Sequence, residues 1–579
     1  MAFLNAFLWL ALAYVSWALA TFTSNYRTAQ KIGLPIVVTP FDVLNPAWFL
    51  LKDIISPVFE RLPFGLGDWA RRLHGHWMYR DRFHIHARLG LAVVEVSPWC
   101  VKVFVADVNG VEDLLKRHND FIKSPMIYGP LAILGPNLDT VNGAQWSRHR
   151  KITAPPFNEK NSALVWQESI AQATDMVATW QKQECVTTTR ADIQNLALNV
   201  LCSAGFGVKN KFVPERGAMS GGSRFHTSQV GYREALQTIL SSFMALLVVG
   251  MLEKAGVPQF FMIGPLRRLS VVKRAFKGHM ADMIESERKY LESGNTDRHN
   301  LISTLIRANA DAKAAADTDV PAITDKPTSF AKGLTEEEIF GNLFIYNIAG
   351  HDTTASTLSF ALVLLALHPN LQAWLATEIH SLRSQAPCPN AQHFYEQTFP
   401  LLPRCQALMH ETLRLCGPVP NNPRETRSGP SPTALLVQDK TYLIPPKTMV
   451  VCNFAGIHCD PAVWGDDAQD FRPQRFITTD AGGKDALKDA HRPGSGFAAW
   501  NRGPRVCPGK KFSQVEFVAV LFVLFAGNRR VELVGEPLES AAAKARKVVA
   551  EAEVELALKM TRDVPLRWVE ADPVGGNRS

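Results

Sequence analysis

The chain has 579 residues, 46% of them hydrophobic and 20% charged, so it is neither a disordered segment nor a disulfide miniprotein and can bury a large core. Its 62 Lys and Arg against 54 Asp and Glu leave a net charge of +8, which suits an acidic partner or an anionic surface and falls short of a nucleic-acid footprint. Nine scattered cysteines without a CxxC pair argue against a disulfide framework or a structural zinc site and favour a reduced, cytosol-facing setting, while length alone suggests three or four domains at roughly 150 residues each.

In chain order, Phe3 to Phe22 is almost wholly apolar, and the first charges are Arg27 and Lys31. Roughly 20 residues at 1.5 Å rise match a bilayer core of about 30 Å, which predicts a single-pass anchor over 1–24 with the following chain on the cytosolic side. The alternative is a cleaved signal peptide ending near Ala18-Leu19-Ala20, but no basic segment precedes the run. A linker over 25–61 carries Pro35 and Pro40, and a single large domain is expected over 62–579.

Phe83 to Gly90 and Ala92 to Ala106 read as a strand pair with a Ser97-Pro98 turn. Four histidines, His74, His76, His84 and His86, lie here without a carboxylate or cysteine to close a metal site, and are expected to be exposed. From Val111 the pattern is mainly helical. Ile239 to Leu252 is apolar but too short to span, and reads as a buried or membrane-dipping helix. Gly217 to Ser223 and Asn309 to Lys332 read as loops, Glu539 to Glu551 as an appended exposed helix, and the cluster Asp460, Asp466, Asp467 and Asp470 as a solvated loop. A helix of roughly 33 residues starts at a Thr335-x-x-Glu338 capping box and stops at His368-Pro369; at about 50 Å and apolar on most faces, it must cross the centre of one large domain.

Near the C-terminus stands Trp500-Asn501-Arg502-Gly503-Pro504-Arg505-Val506-Cys507-Pro508-Gly509, followed by an apolar run from Phe512 to Phe525. Gly503 and Gly509 let the backbone approach something bulky, and the loop presents one thiol before a helix N-terminus, where free amides and the helix dipole favour a thiolate. Such a sulfur serves as a nucleophile, as a metal ligand or as an inert buried cysteine; the loop alone leaves all three open.

This stretch resembles the haem-binding signature of the cytochrome P450 superfamily at Gly503, Arg505, Cys507 and Gly509, with Trp500 in place of the usual phenylalanine. Three further stretches support the resemblance. Glu411-Thr412-Leu413-Arg414 is similar to the family's Glu-x-x-Arg helix. Phe471 to Phe476 is similar to the segment that supplies a second arginine, here Arg475, to a structural Glu-Arg-Arg cluster. Ala349-Gly350-His351-Asp352-Thr353-Thr354, midway along the long helix, resembles the oxygen-activation motif.

The resemblance implies a mainly α fold with small β-sheets (α+β), a haem b (iron protoporphyrin IX) cofactor with Cys507 as axial iron ligand, and O₂ as co-substrate. It casts Asp352 and Thr353 as the catalytic acid–alcohol pair that delivers protons, with Gly350 letting the helix open locally. Trp146 and Arg150, one helical turn apart, together with Arg505 and Arg424, are the implied propionate partners, and Arg148 and His149 are expected to be solvated. The implied activity is monooxygenation of a small apolar substrate at the endoplasmic reticulum membrane. NADPH electrons would arrive through a separate reductase, met by a basic face near Lys510 and Lys511, since no Rossmann or flavin-binding stretch follows the haem segment. The pocket roof would be Ser124 to Asn137, with Ile239 to Phe261 as an access region. The style of the sequence is most similar to fungal enzymes of specialised metabolism. A haem-thiolate isomerase or dehydratase is the alternative, weakened by the intact Asp352-Thr353 pair, and a non-catalytic haem sensor is another.

Overall fold

The computed structural model describes residues 2–43, positions 45, 48, 56, 58–60 and 62, and 68–214, 231–295, 298–318, 333–383 and 391–570. The elements that frame the site are helices α1 (Ala2–Ile32), α2 (His84–Leu89), α3 (Gly143–Thr153), α4 (Glu159–Trp180), α5 (Thr189–Phe206), α6 (Tyr232–Ser241), α7 (Phe243–Lys254), α8 (Leu301–Thr318), α9 (Glu336–Leu367), α10 (Pro403–Cys416), α11 (Lys510–Phe525) and α12 (Leu538–Ala550). The strands of the largest sheet are β1 (Ile36–Val38), β2 (Ala92–Val96), β3 (Val101–Val105), β4 (Phe121–Ile122), β5 (Asn421–Thr426) and β6 (Met449–Asn453), in the order β1-β2-β3-β6-β5-β4.

The long helix is bounded as its punctuation predicts. Thr335 accepts the Glu338 amide, Glu338 returns the bond to the Thr335 amide, and three acidic residues face the positive end of the dipole. It is apolar all round because it packs on α5, α10, α11 and the Arg529–Leu533 strand at once. Between Glu338 and Ala366 every residue is buried except Ala349, Gly350 and Thr353, which share one face.

The sheet sets a second inner wall. Its hairpin pairs Val94 with Val103, β3 continues in parallel with β6 (Val103 with Val450), and β5 runs antiparallel to β6 (Arg424 with Val450). Burial alternates along β5, so Asn422, Arg424 and Thr426 all turn inward.

Several expectations are corrected. Phe83 to Gly90 is no strand: His84–Leu89 forms α2, and both strands of the pair come from within Ala92 to Ala106. The histidines there are not all solvated. His86 is buried between the Gly90 carbonyl and Asn453, and His76 is buried as well. Asn309 to Thr318 belongs to α8, and 319–332 and 217–223 lie outside the described residues. The Glu539–Glu551 helix is not merely exposed, because Ala541, Ala545 and Val548 at helical spacing dock it into the core. Of the aspartates, Asp460 caps the Pro461–Trp464 turn and Asp467 pairs with Arg475 and Arg472.

The apolar Ile239 to Leu252 run is two helices, α6 and α7, with Ile239, Leu246 and Val249 buried and Val248 and Met251 exposed. The N-terminal helix continues past the expected linker boundary to Ile32, and its last turns pack on the sheet through Ala29 and Ile32. Among the described residues, no single helix is long and apolar enough to cross a membrane.

Candidate active site

Cys507 sits where an inner cleft meets the start of α11. A short 3₁₀ turn over Gly503–Arg505 leads into it, and Gly503 is required there: at φ +70° a β-carbon would lie 2.8 Å from the Leu115 carbonyl oxygen. Gly509 is packed only to ordinary contact, its β-carbon position lying 3.9 Å from both the Cys507 sulfur and the Phe157 ring. Phe157 stands edge-on to Tyr346 at 5.3 Å, and Tyr346 precedes Ala349 and Gly350 by one turn of α9. Phe157 and Tyr346 thus link the cysteine loop to the stretch of α9 that carries Ala349 and Gly350.

Cys507 is accessible from this cleft yet enclosed by protein. Burial pushes its thiol up, and the Gly509 amide and the Arg150 guanidinium pull less strongly in the other direction. Burial thus opposes the thiolate that a helix N-terminus favours, and a cation bound at the sulfur would offset it.

The polar wall of the cleft is cationic. Arg424 is fully buried, and none of its three guanidinium nitrogens has a hydrogen-bond partner among the described residues. Arg505 donates through Nη2 to the Val141 carbonyl (3.0 Å) and Asn142 Oδ1 (2.9 Å), leaving Nε unpartnered, and lies 4.7 Å over the Trp146 ring. Lys123, buried beside them, pairs with Asp139 and sits 3.8 Å over the Tyr128 ring. Burial, with Arg424 and Arg505 nearby, pulls Lys123 down to about 8 against the opposing pull of Asp139, and burial and the Arg424 charge pull Arg505 down to about 9. Three cations around one carboxylate leave an excess of positive charge with unsatisfied donors, the chemistry of a site for an anionic group.

The predicted residues divide by wall. Trp146 is buried and stacks on Arg505, whereas Arg150 is half-buried and acts on Cys507 and Tyr346. Arg148 and His149 are not solvated: both turn to Glu338, with His149 fully buried and within 3.0 Å of Asn342. Asp352 accepts from Gln194 of α5 at 3.1 Å, and Thr353 donates to the Ala349 carbonyl at 2.8 Å. Gly350 serves packing: a β-carbon would lie 3.2 Å from Leu201, so its absence lets α9 close on α5.

Beneath the cleft, Glu411, Arg414 and Arg475 form the expected cluster. Arg475 Nε donates to Glu411 Oε1 at 2.9 Å, and Arg414 ties the group to the His458 and Asp470 carbonyls. Lys510 and Lys511 are half-buried, the first 5.6 Å over Trp500 and the second 4.3 Å over Phe399. Sequence reasoning missed Lys123, Asp139 and Gln194, which belong to no local motif; Lys123 and Asp139 meet Arg505, and Gln194 meets Asp352, only through the tertiary fold.

The residues fit a haem. Cys507 would offer a sulfur ligand to the iron, Arg424, Arg505 and Lys123 would match its carboxylates, and the exposed Ala349 on an otherwise buried helix would leave room beside it. The sequence model of the family described as Cytochrome P450 matches residues 63–526. Among curated proteins, the chain is similar to a cytochrome P450 monooxygenase of Arthrobotrys oligospora (27% identical, 89% of each chain covered) and to one of Penicillium roqueforti (27%, covering 96% of this chain and 95% of the relative). It is also similar to a phomenoic acid biosynthesis cluster cytochrome P450 monooxygenase of Leptosphaeria maculans (26%, 93% and 94%).

Proposed function

The chain belongs to the cytochrome P450 family and is a monooxygenase, and on that premise we propose that it hydroxylates or otherwise oxygenates a small apolar compound of fungal specialised metabolism. The observation that carries the site assignment is the pairing of an accessible cysteine with a set of buried, unpartnered guanidinium donors across one cleft. A haem held there would supply the dioxygen chemistry by which one oxygen atom enters the substrate and the other leaves as water.

The remaining roles belong to the chain's own side chains. Cys507 would ligate the iron, Arg424, Arg505 and Lys123 would hold the carboxylates with Trp146 and Arg150 as further partners, and Arg150 also faces the sulfur. Asp352, buried and anchored by Gln194, and the Thr353 hydroxyl beside it on α9 pass protons toward the open face. Apolar side chains of the 124–137 segment, such as Leu131 and Ile133, exclude water from the substrate side.

Electrons come, in this reading, from NADPH through a separate reductase that docks on the face near Lys510 and Lys511. The protein resides in the endoplasmic reticulum membrane, held by α1 with the catalytic domain cytosolic. The exposed Trp9, Leu12, Val15, Trp17 and Leu19 of α1 support this, as do Phe260, Phe261 and Ile263, each more than two-thirds exposed. Protein purified with haem, reduced and exposed to carbon monoxide, is expected to give the red-shifted band of a thiolate-ligated haem, and Cys507→Ala to lose it. A wild-type spectrum without that band overturns the assignment.

A further inference from the structure

Trp500 occupies the position where the family usually carries phenylalanine, and its indole N–H, which phenylalanine lacks, is used. Nε1 donates to Ser513 Oγ at 3.1 Å. That hydroxyl donates onward to the Lys510 carbonyl at 2.9 Å, the Lys510 amide donates to the Cys507 carbonyl at 3.4 Å, and the Cys507 amide donates to the Trp500 carbonyl at 2.9 Å. The four bonds close a circuit that passes through both backbone groups of the cysteine. Behind the indole, His410 stands edge-on at 5.4 Å and Phe497 at 5.9 Å, so the ring is buried and cannot turn its N–H to water.

We propose that Trp500 and Ser513 form a clamp that fixes the Cys507 loop against the first turn of α11, which makes Ser513 a positioning residue for the sulfur. The proposal rests on the haem-thiolate reading. A loop whose two backbone groups are tied at both ends loses less order when the sulfur takes or releases its iron, so the clamp slows escape from thiolate ligation. It also explains why a hydroxyl stands at 513: a buried indole N–H without an acceptor is costly, whereas an apolar pair has nothing to satisfy.

The test is the rate at which the carbon monoxide complex of the reduced haem protein loses its red-shifted band in mild denaturant, with the far-UV helical signal followed in parallel. Ser513→Ala is expected to speed that loss about fivefold while helix content holds. Trp500→Phe also speeds it, and the double variant is no faster than Ser513→Ala alone, because removing the hydroxyl already breaks the bond that the indole makes. Should Ser513→Ala fail to fold, Ser513→Thr and Ser513→Val, alike in shape and different in one hydroxyl, make the same comparison, with threonine near wild type and valine fast. A Ser513→Ala rate equal to wild type, equal rates for threonine and valine, or multiplying effects in the double variant overturns the clamp. A wild-type protein that never shows the band overturns the haem-thiolate reading and the clamp with it, a result distinct from all of these.

Discussion

Glu411 and Arg414 face each other one helical turn apart with two parallel hydrogen bonds, Nε to Oε2 at 2.7 Å and Nη2 to Oε1 at 2.8 Å, and neither side chain is exposed. The same carboxylate receives Arg475 and the Arg472 amide, so one buried anion holds α10 to the segment that runs toward the cysteine loop. Glu411→Gln keeps the shape but leaves Arg414 in the interior without a counter-charge and Arg475 with Asp467 alone. The expected loss is about 3–5 kcal/mol. Chemical denaturation of the variant is expected to show it, together with failure to retain haem.

Arg424 shows the opposite energetics. Its nitrogens are buried without partners, so Arg424→Leu removes an unmet cost and leaves the haem-free protein as stable as wild type or more so. Affinity for haem falls by roughly tenfold or more, since a charge-assisted bond to carboxylate is lost. The rate of haem transfer to a scavenger protein checks the second half, and thermal melting of the haem-free form checks the first.

Asp352 has one side-chain donor described, Gln194 at 3.1 Å. Gln194→Leu leaves that carboxylate without it and is expected to lower product formed per NADPH by roughly tenfold, with peroxide rising in step and the carbon monoxide band unchanged. Thr353→Ala behaves alike. Unchanged coupling in both variants sinks the proton-delivery role.

Acid stability follows from two buried histidines. His410, with neither ring nitrogen partnered among the described residues, and His458, whose Nε2 accepts the Ala498 amide at 3.0 Å, are both pulled down to about 3, chiefly by burial. The unfolded chain takes up these protons near 6.5 and the folded one does not, so stability is full above about 6.5 and falls as pH drops toward 3. At pH 5 each histidine costs about 2 kcal/mol. His410→Phe, in a cage already built of Phe476, Phe497 and Trp500, is expected to be as stable as wild type at pH 7.5 and to remove one proton from the slope measured by denaturant titration near pH 5.

Truncation separates the membrane role proposed for α1 from its packing on the sheet. Removing residues 2–21 takes away the exposed apolar turns and is expected to release the protein from membranes with its fold intact. Removing 2–34 also strips Ala29, Ile32 and Leu34 from the sheet and the Asn25 bond to the Ser97 carbonyl (2.9 Å), and is expected to lower the melting temperature by several degrees. Fractionation and thermal melting read the two effects.

The cysteine loop, the Glu-x-x-Arg pair, the capping box and the helix it opens are all local, and spacing along the chain was enough to read them. Thr335 and Glu338 meet because three residues make one helical turn, and Glu411 meets Arg414 for the same reason. Local pattern failed where burial decides. His84 to Leu89 alternates like a strand but is a helix, and His149 looks like part of a basic face yet is buried against Glu338 and Asn342. Lys123, Arg424 and Arg505 converge from three distant parts of the chain, and Gln194 reaches Asp352 from another helix. The sequence by itself determined the family, the cysteine loop and the central helix, because each rests on contacts within a few turns. Only the tertiary structure decided which cations crowd one wall, which acid is anchored and how Trp500 is used, because those depend on side chains that meet across hundreds of residues in a low-dielectric interior.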